Sequence, residues 1–177
     1  MIYLLLYLMT PPQNAPLLRV TYQVEIFEGN RQVTARLVLN RLEKNQFSIH
    51  CSKAPSGTLF TYWATVAQNT LYLPKSQLAF VGDAAEPFSL FPNGPSLGRE
   101  AWVNVLFAEP GTLGGGFTVA DEAGWRILRH REKALTIRWR EQKRGQRDTY
   151  SSRTLNPELG AEVHIEALDR IPFYWED

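Results

Sequence analysis

Apolar and polar residues alternate with a period of two along most of this chain. Val20, Tyr22 and Val24 alternate with polar residues, and a Gly29-Asn30 turn separates their run from a second run of the same pattern. Alternation of this kind is typical of β-strands that bury one face. Roughly ten such runs follow one another, and we therefore expect a meandering antiparallel sheet. Because the connections are short, we expect no parallel crossover.

One segment has helical spacing instead. Leu97, Ala101 and Val105 recur at intervals of four residues, Ser96 precedes them and Pro110 follows. A serine before a helix commonly caps its first turn, and a proline ends a helix. We expect Ser96 to be the N-cap of this helix. The predicted fold is mainly β: a strongly curved antiparallel sheet, an open half-barrel, covered by one lid helix.

The length of 177 residues favours a single domain, which we place at residues 19–177. Residues 1–18 form an apolar segment followed by a proline-rich linker. The apolar run, residues 2–9, is far shorter than the roughly 20 residues that span a bilayer. It is similar to the apolar part of a secretory signal, although no basic residue precedes it. A mis-assigned start and a first strand of the sheet are the alternatives.

The chain is almost neutral, with 19 Lys and Arg residues against 18 Asp and Glu residues. We therefore expect no nucleic acid partner. The charges are unevenly distributed, because basic residues dominate residues 125–153 and acidic residues dominate the rest of the C-terminal part. Cross-strand pairs of Arg138 and Arg140 with Glu162 and Glu166 are one explanation. The alternative is a basic face that contacts lipid headgroups or RNA.

Cys51 is the only cysteine, which excludes an internal disulfide and a zinc site built from cysteines. It is in phase with apolar neighbours, so we expect a buried, inert thiol. His50, His130 and His164 lie on three different predicted strands, without the short spacing of a metal site. We expect no metal and no cofactor.

Gly94-Pro95-Ser96-Leu97-Gly98 matches the Gly-x-Ser-x-Gly motif of serine hydrolases. The strand that should lead into the serine is missing, because residues 92–95 are rich in proline and glycine. We therefore expect a non-catalytic protein, with a hydrolase that uses Ser96 as the least favoured alternative.

Three further segments have predictions of their own. The glycines of residues 111–116 lack the Lys-Ser/Thr of a phosphate-binding loop and predict a flexible loop. Residues 143–146 resemble a charged hairpin tip. Residues 148–155 have the pattern of a further strand.

Several of these features occur together in one family. The most distinctive stretch is Pro95-Ser96-Leu97 followed by Trp102 and Leu106. The other features are the early hairpin of residues 20–39, residues 47–59, the exit turn of residues 107–111, and the closing runs of residues 125–140 and 148–168.

In these features, over residues 19–170, the chain resembles the LolA/LolB family of bacterial outer-membrane lipoprotein carriers and receptors. The resemblance implies an apolar concavity under the helix that holds the acyl chains of a lipoprotein. Two departures bear on membrane anchoring. No cysteine stands near the N-terminus, and Ser56 occupies the loop where the family's receptors have a protruding apolar residue.

We therefore expect a monomeric, non-enzymatic protein of the bacterial cell envelope, periplasmic or associated with the outer membrane. Its expected partners are lipid or lipoprotein acyl chains, and contact with a membrane surface is a further expectation. The alternative is a structural or interaction module that binds another envelope protein or a peptide. The predicted lining residues are Val24, Leu37, Leu39, Phe47, Ile49, Phe60, Tyr62, Phe80, Trp102 and Leu106.

Overall fold

The structure is a computed structural model that describes residues 16–43, 45–91, 93–107 and 111–170. The apolar run of residues 2–9 and the Pro-rich residues up to 15 lie outside the described residues. The first strand begins at Leu17, two residues before the predicted start of the domain. Leu17 is already buried.

Eleven strands and one α-helix, α1, make up the regular structure of the described residues, with two short 3₁₀ helices. In chain order the elements are β1 (Leu17–Glu28), β2 (Arg31–Glu43), β3 (Gln46–Lys53), β4 (Gly57–Ala64), β5 (Gln68–Leu73), β6 (Leu78–Asp83), α1 (Arg99–Phe107), β7 (Gly111–Gly114), β8 (Phe117–Glu122), β9 (Trp125–His130), β10 (Leu135–Arg147) and β11 (His164–Ala167).

The strands form one sheet in the order β11-β6-β5-β4-β3-β2-β1-β10-β9-β8-β7. Every pair except β11 with β6 is antiparallel. Among the described residues the sheet is not closed, because β11 and β7 stand at opposite ends of this order. The expectation of a mainly β chain with an open, largely antiparallel sheet and one helix is confirmed.

The C-terminal third differs from the sequence prediction. Residues 143–146 are not a hairpin tip, because β10 continues to Arg147 and pairs with β1 along its whole length. Residues 148–155 are not a strand, and they contain the 3₁₀ helix Ser152–Thr154. The connection from β10 to β11 is long enough for a crossover, which needs about a dozen residues. The chain therefore reaches the far edge of the sheet, where β11 runs parallel to β6.

This crossover also removes the expected cross-strand ion pairs. Glu166 lies on β11, seven places in the sheet order from β10, where Arg138 lies. Arg138 pairs instead with Glu25 of the neighbouring β1, with Nη2 2.6 Å from Oε2. The predicted pairing of Arg138 and Arg140 with Glu162 and Glu166 is wrong for this reason.

The glycine-rich residues after the helix form a hairpin rather than a flexible loop. β7 pairs with β8, and Gly115 and Gly116 make the turn with φ angles of 56° and 81°. Glycine adopts these positive φ angles without the strain that a Cβ would add. A Cβ on Gly116 would also lie 3.1 Å from Nε2 of His130.

The helix begins later than the sequence predicts. α1 starts at Arg99, and the Trp102 N–H donates to the carbonyl of Gly98 at 3.0 Å, which makes Gly98 the N-cap. Ser96 is exposed and lies before Leu97, which forms an isolated bridge with Phe88. This bridge keeps the chain extended through Leu97, so the predicted N-cap role of Ser96 is wrong. No described helix has both the length and the apolar character needed to cross a membrane.

The two faces of the sheet differ in chemistry. The inner face carries alternate apolar residues such as Val24, Leu37 and Ile49, which belong to one buried cluster with four residues of α1. The outer face carries the intervening residues, such as Gln23, Arg36 and His50. The C-terminal crossover contacts this outer face, because Nε1 of Trp63 donates to the carbonyl of Arg153 at 3.3 Å.

Replacing Ser96 by Ala should change the free energy of unfolding by less than about 0.5 kcal/mol, as expected for an exposed residue without a capping role. Urea denaturation of the two proteins measures the difference. A loss of about 1 kcal/mol or more would be the size of a lost N-cap and would contradict the assignment of Gly98.

Candidate functional site

The residues predicted to line a cavity lie on the inner face of the sheet and on α1. All ten side chains belong to the same buried cluster, and none is more than 5% exposed. Eight of them lie on the strands and two on α1. The ten are Val24, Leu37, Leu39, Phe47, Ile49, Phe60, Tyr62, Phe80, Trp102 and Leu106. Alternation along the strands therefore placed the eight strand residues on one face, and they belong to the same buried cluster as Trp102 and Leu106 of α1.

An aromatic stack joins the sheet to the residues above it. The ring of Tyr62 on β4 stacks on Phe88 with centroids 4.2 Å apart, and Phe88 lies 6.4 Å from Trp102 of α1. Phe91 meets the edge of Trp102 at 5.9 Å. The Trp102 indole N–H donates to the Phe88 carbonyl at 2.8 Å, which satisfies the polar atom of this fully buried side chain. We call the described residues of the segment 84–107, which include α1, the cover.

A buried asparagine attaches the start of the cover to the sheet. Asn69 on β5 is fully buried, and its Oδ1 accepts from the hydroxyl of Tyr62 at 2.7 Å. Its Nδ2 donates to the carbonyls of Asp83 at 2.8 Å and Glu86 at 3.1 Å. Burial raises the pKa of Tyr62, so the phenol stays protonated and keeps donating to Asn69.

A buried arginine attaches the other end of the cover. Arg99, the first residue of α1, is 7% exposed, and its Nη1 donates to the carbonyls of Asn45 at 3.1 Å and Thr65 at 2.5 Å. Its Nε and Nη2 have no hydrogen-bond partner among the described residues. Two backbone carbonyls therefore hold the helix start against the β2–β3 and β4–β5 turns.

A cavity of about 260 Å³ with a mixed apolar and charged lining opens at the C-terminal end of α1. Leu106, Trp125 and Trp139 contribute apolar walls, and Arg126 and Glu141 contribute charge. Arg126 donates to both carboxylate oxygens of Asp121 at 2.9 Å. Leu106 is the one residue of the predicted lining set that borders this cavity.

No protein-family model matches this chain, and no curated protein matches it.

Ser96, Asp121 and His130 lie in three different environments. Ser96 is exposed in the extended segment before α1. Asp121 is held by Arg126, whose hydrogen bonds lower the pKa of that carboxyl. The Nδ1 atom of His130 accepts from the backbone N–H groups of Glu132 and Lys133.

The outer face carries Arg138 and Arg140 of β10. Arg138 is paired with Glu25, and its guanidinium lies 4.6 Å from the ring centre of Trp125 and 5.1 Å from that of Phe27. Arg140 lies 4.7 Å from the ring centre of Trp125 on the same strand pair. Cation–π contacts of this kind orient arginines along a surface. Aromatic rings thus orient the guanidinium groups of Arg138 and Arg140, two of the basic residues in the segment 125–153.

Other cations of the outer face repel one another. Burial and then the positive charges of Arg147 and Arg36 lower the pKa of Arg19. Burial and then the charges of Arg19 and Arg36 lower the pKa of His50. The His50 ring is held by Thr61, whose Oγ1 lies 3.0 Å from Nδ1.

Sequence reasoning missed the polar residues that hold the cover. Asn69 lies next to a predicted strand and Arg99 lies in the predicted helix. Neither the amide of Asn69 nor the charge of Arg99 therefore indicated a role in attaching the cover. Phe88 lies in a segment without periodicity, yet it contacts both Tyr62 and Trp102. A polar residue at an inward-facing position of a strand, as Asn69 is, was the one available sign.

The Cys51 thiol should not react in the native protein. Cys51 is fully buried, and burial raises its pKa to about 12, so the nucleophilic thiolate is scarce at pH 8. We expect the thiol to react with a chromogenic disulfide reagent only after denaturation in urea. Stoichiometric reaction of the folded protein within minutes would contradict this burial.

The stability of the protein should fall as His50 becomes protonated. Its folded-state pKa is lowered, so the unfolded state, with a histidine pKa of about 6.5, binds the proton more readily. The contribution of neutral His50 is complete above this unfolded pKa and is lost as the pH falls from about 6.5 through the folded pKa. We expect a midpoint below 6.5 for His50 in an NMR titration, and a higher midpoint in Arg36→Gln. The control Lys75→Gln, in an exposed turn, should leave the midpoint unchanged.

Proposed function

We propose that the protein binds the acyl chains of a lipid or lipoprotein reversibly between the inner face and the cover, as a cell-envelope carrier or receptor of the LolA/LolB type. The observation that carries this proposal is the composition of the inner face. Residues of nine strands and α1 form a single apolar cluster. Such a surface is chemically complementary to a hydrocarbon chain, and binding of the chain requires no catalytic group.

The size of the sheet supports a curved shape. Eleven strands at about 4.8 Å per strand would extend roughly 50 Å if the sheet were flat. A helix of nine residues is about 14 Å long. The cluster nevertheless contains α1 together with residues from β6 and from β8, which lie eight places apart in the sheet order. A sheet that curves around α1, as in a half-barrel covered by a helix, accounts for this arrangement.

The way the cover is attached supports exchange of a ligand. Its side-chain hydrogen bonds to the sheet come mainly from Asn69 at one end and Arg99 near the other. Two further hydrogen bonds join the cover to the sheet, from Asn93 to the Glu28 carboxylate and from Arg126 to the carbonyl of Val105 at 3.5 Å. The ring contacts of Phe88, Phe91 and Trp102 are apolar. An acyl chain can replace such contacts, since each buried CH₂ contributes about 0.8 kcal/mol, or about 12 kcal/mol for a palmitoyl chain. Uptake and release of the acyl chain would then depend on a difference in free energy. The two states compared are the cover packed on the inner face and the acyl chain packed there instead.

The alternative is a structural or interaction module of the cell envelope that binds another protein or a peptide. The observation that favours it is the packing of the inner face, where all ten predicted lining side chains are at most 5% exposed. If the protein's own side chains always fill the inner face, a protein or peptide partner would have to bind to the outer face or to the edges of the sheet. The two functions differ in whether lipid enters the inner face.

Leu106→Glu should weaken binding of a synthetic lipopeptide with palmitoyl chains by at least about tenfold, because it places a charge where alkyl groups would lie. The matched control is Val66→Glu, since Val66 is 81% exposed and receives the same change of charge. Fluorescence titration with the labelled lipopeptide measures both, and circular dichroism checks that each variant folds.

Mass spectrometry of organic extracts from the purified wild-type protein provides a second measurement that needs no variant. Bound lipid, together with saturable lipopeptide binding, would support the carrier. A wild-type protein that carries no lipid and does not bind the lipopeptide would overturn it and favour the interaction module. Equal binding by Leu106→Glu and Val66→Glu would also contradict a site under the cover.

A further inference from the structure

The outer face contains a groove of about 760 Å³ across the middle of the sheet. It crosses β10, β1, β2 and the end of β3. We call it the outer groove. The residues that matter for its chemistry are Arg36, Lys53, Lys143, Ser52, Thr34 and Gln142. Its volume is in the range of small-molecule sites, which is roughly 300–1,000 Å³.

The outer groove collects positive charge without a carboxylate. Arg36, Lys53 and Lys143 line it, and none of the residues that line it is acidic. None of these three cations forms an ion pair with a described residue. The two nearby acids are already paired, Glu25 with Arg138 and Glu141 with Arg144. The groove therefore keeps a net positive charge at neutral pH.

The neutral groups of the groove include the hydroxyls of Thr21, Thr34 and Ser52, each of which can donate one hydrogen bond. Arg36 stands opposite Ser52 on β3 and opposite Gln23 on β1, so a guanidinium lies between a hydroxyl and an amide in one row across three strands. The Oε1 of Gln23 accepts from Arg140 at 3.1 Å and from Gln142 at 3.2 Å. Guanidinium, ammonium and hydroxyl groups are the donors that bind phosphate oxygens in proteins.

We propose that the outer groove binds the phosphate group of a ligand, either a phospholipid headgroup or a soluble phosphate ester. A phosphate would accept hydrogen bonds from Arg36 and Ser52 and would receive the charge of Lys53 and Lys143. Arg36 and the other outward-facing groups of the groove lie on the face opposite the apolar cluster, so this inference does not depend on acyl-chain binding.

Bound phosphate would also relieve a repulsion within the protein. Arg147 and Arg36 contribute, after burial, to lowering the pKa of Arg19, and Arg19 and Arg36 do the same for His50. An anion beside Arg36 compensates these charges and makes protonation of His50 more favourable. His50 is therefore a reporter group for occupancy of the groove.

RNA is the less suitable ligand for this surface. Single-stranded nucleic acid binding uses exposed aromatic rings on which bases stack. Tyr22 is the one aromatic residue that lines the groove, and it is 3% exposed. The ring of Trp125 on the same side is already occupied by Arg138 and Arg140.

The test compares two triple variants that lose the same charge. Arg36→Gln, Lys53→Gln and Lys143→Gln are combined in the groove variant, and Lys75→Gln, Arg131→Gln and Lys133→Gln in the control, whose three residues are exposed and do not line the groove. The probes are glycerol 3-phosphate, vesicles of phosphatidylcholine with and without phosphatidylglycerol, and an oligoribonucleotide. Thermal unfolding of each variant checks that it is folded.

We expect the groove variant to bind its preferred phosphate probe about 100-fold more weakly than the wild type, at about fivefold for each basic residue lost beside an anionic surface. The control should stay within about threefold of the wild type. The same probe should raise the NMR titration midpoint of His50 in the wild type and in the control.

The two sources of phosphate are distinguished by the probes. Binding of phosphatidylglycerol vesicles alone identifies a headgroup, and binding of glycerol 3-phosphate identifies a soluble ester. Equal losses in the groove variant and the control would overturn the proposal, as would a wild type that binds neither phosphate probe. Tight binding of the oligoribonucleotide that survives in the groove variant would overturn it as well.

Discussion

The fold depends on the pairing of β1 with two partners at once. β1 pairs with β2 on one side and with β10 on the other, each along nearly its whole length. The strands β2 to β6 follow from one side of β1, and β9 to β7 follow from the other. Because β1 joins both groups through hydrogen bonds, its alternating residues set which face of the whole sheet is apolar. Val20, Tyr22 and Val24 contribute to the buried cluster, and the residues between them belong to the outer face.

The sequence predicted those features of the fold that depend on the local pattern of apolar and polar residues. The alternation of apolar residues identified most strands and the inner face, and the spacing from Leu97 to Leu106 identified the helix. The errors come from long-range pairing: β10 extends to Arg147 because β1 offers it a partner, and β11 reaches β6 by a crossover. Ser96 failed as a cap because a bridge between Leu97 and Phe88 holds the chain extended there. Neither the long-range pairing of strands nor this bridge changes the pattern of apolar and polar residues nearby in the sequence.

The candidate sites were predictable to different degrees. The eight strand residues proposed for acyl-chain binding lie on one face of the sheet. A period of two determines the face on which a side chain lies, whatever the order of the strands. The outer groove was not predictable in the same way, because Arg36, Lys53 and Lys143 are brought together only by the register of β2, β3 and β10. The sequence showed an excess of positive charge after Trp125, but not that residues of the N-terminal half would join it.

The separation of β1 and β10 along the chain has a consequence for synthesis. Glu28 pairs with Leu135, so more than a hundred residues lie between the two strands. At roughly 5–20 residues per second, a ribosome needs about 5–20 s to supply that interval. During this time one edge of β1 has no partner, and unpaired strand edges promote association with other chains. We therefore expect a nascent chain of this protein to depend on chaperones until β10 has emerged.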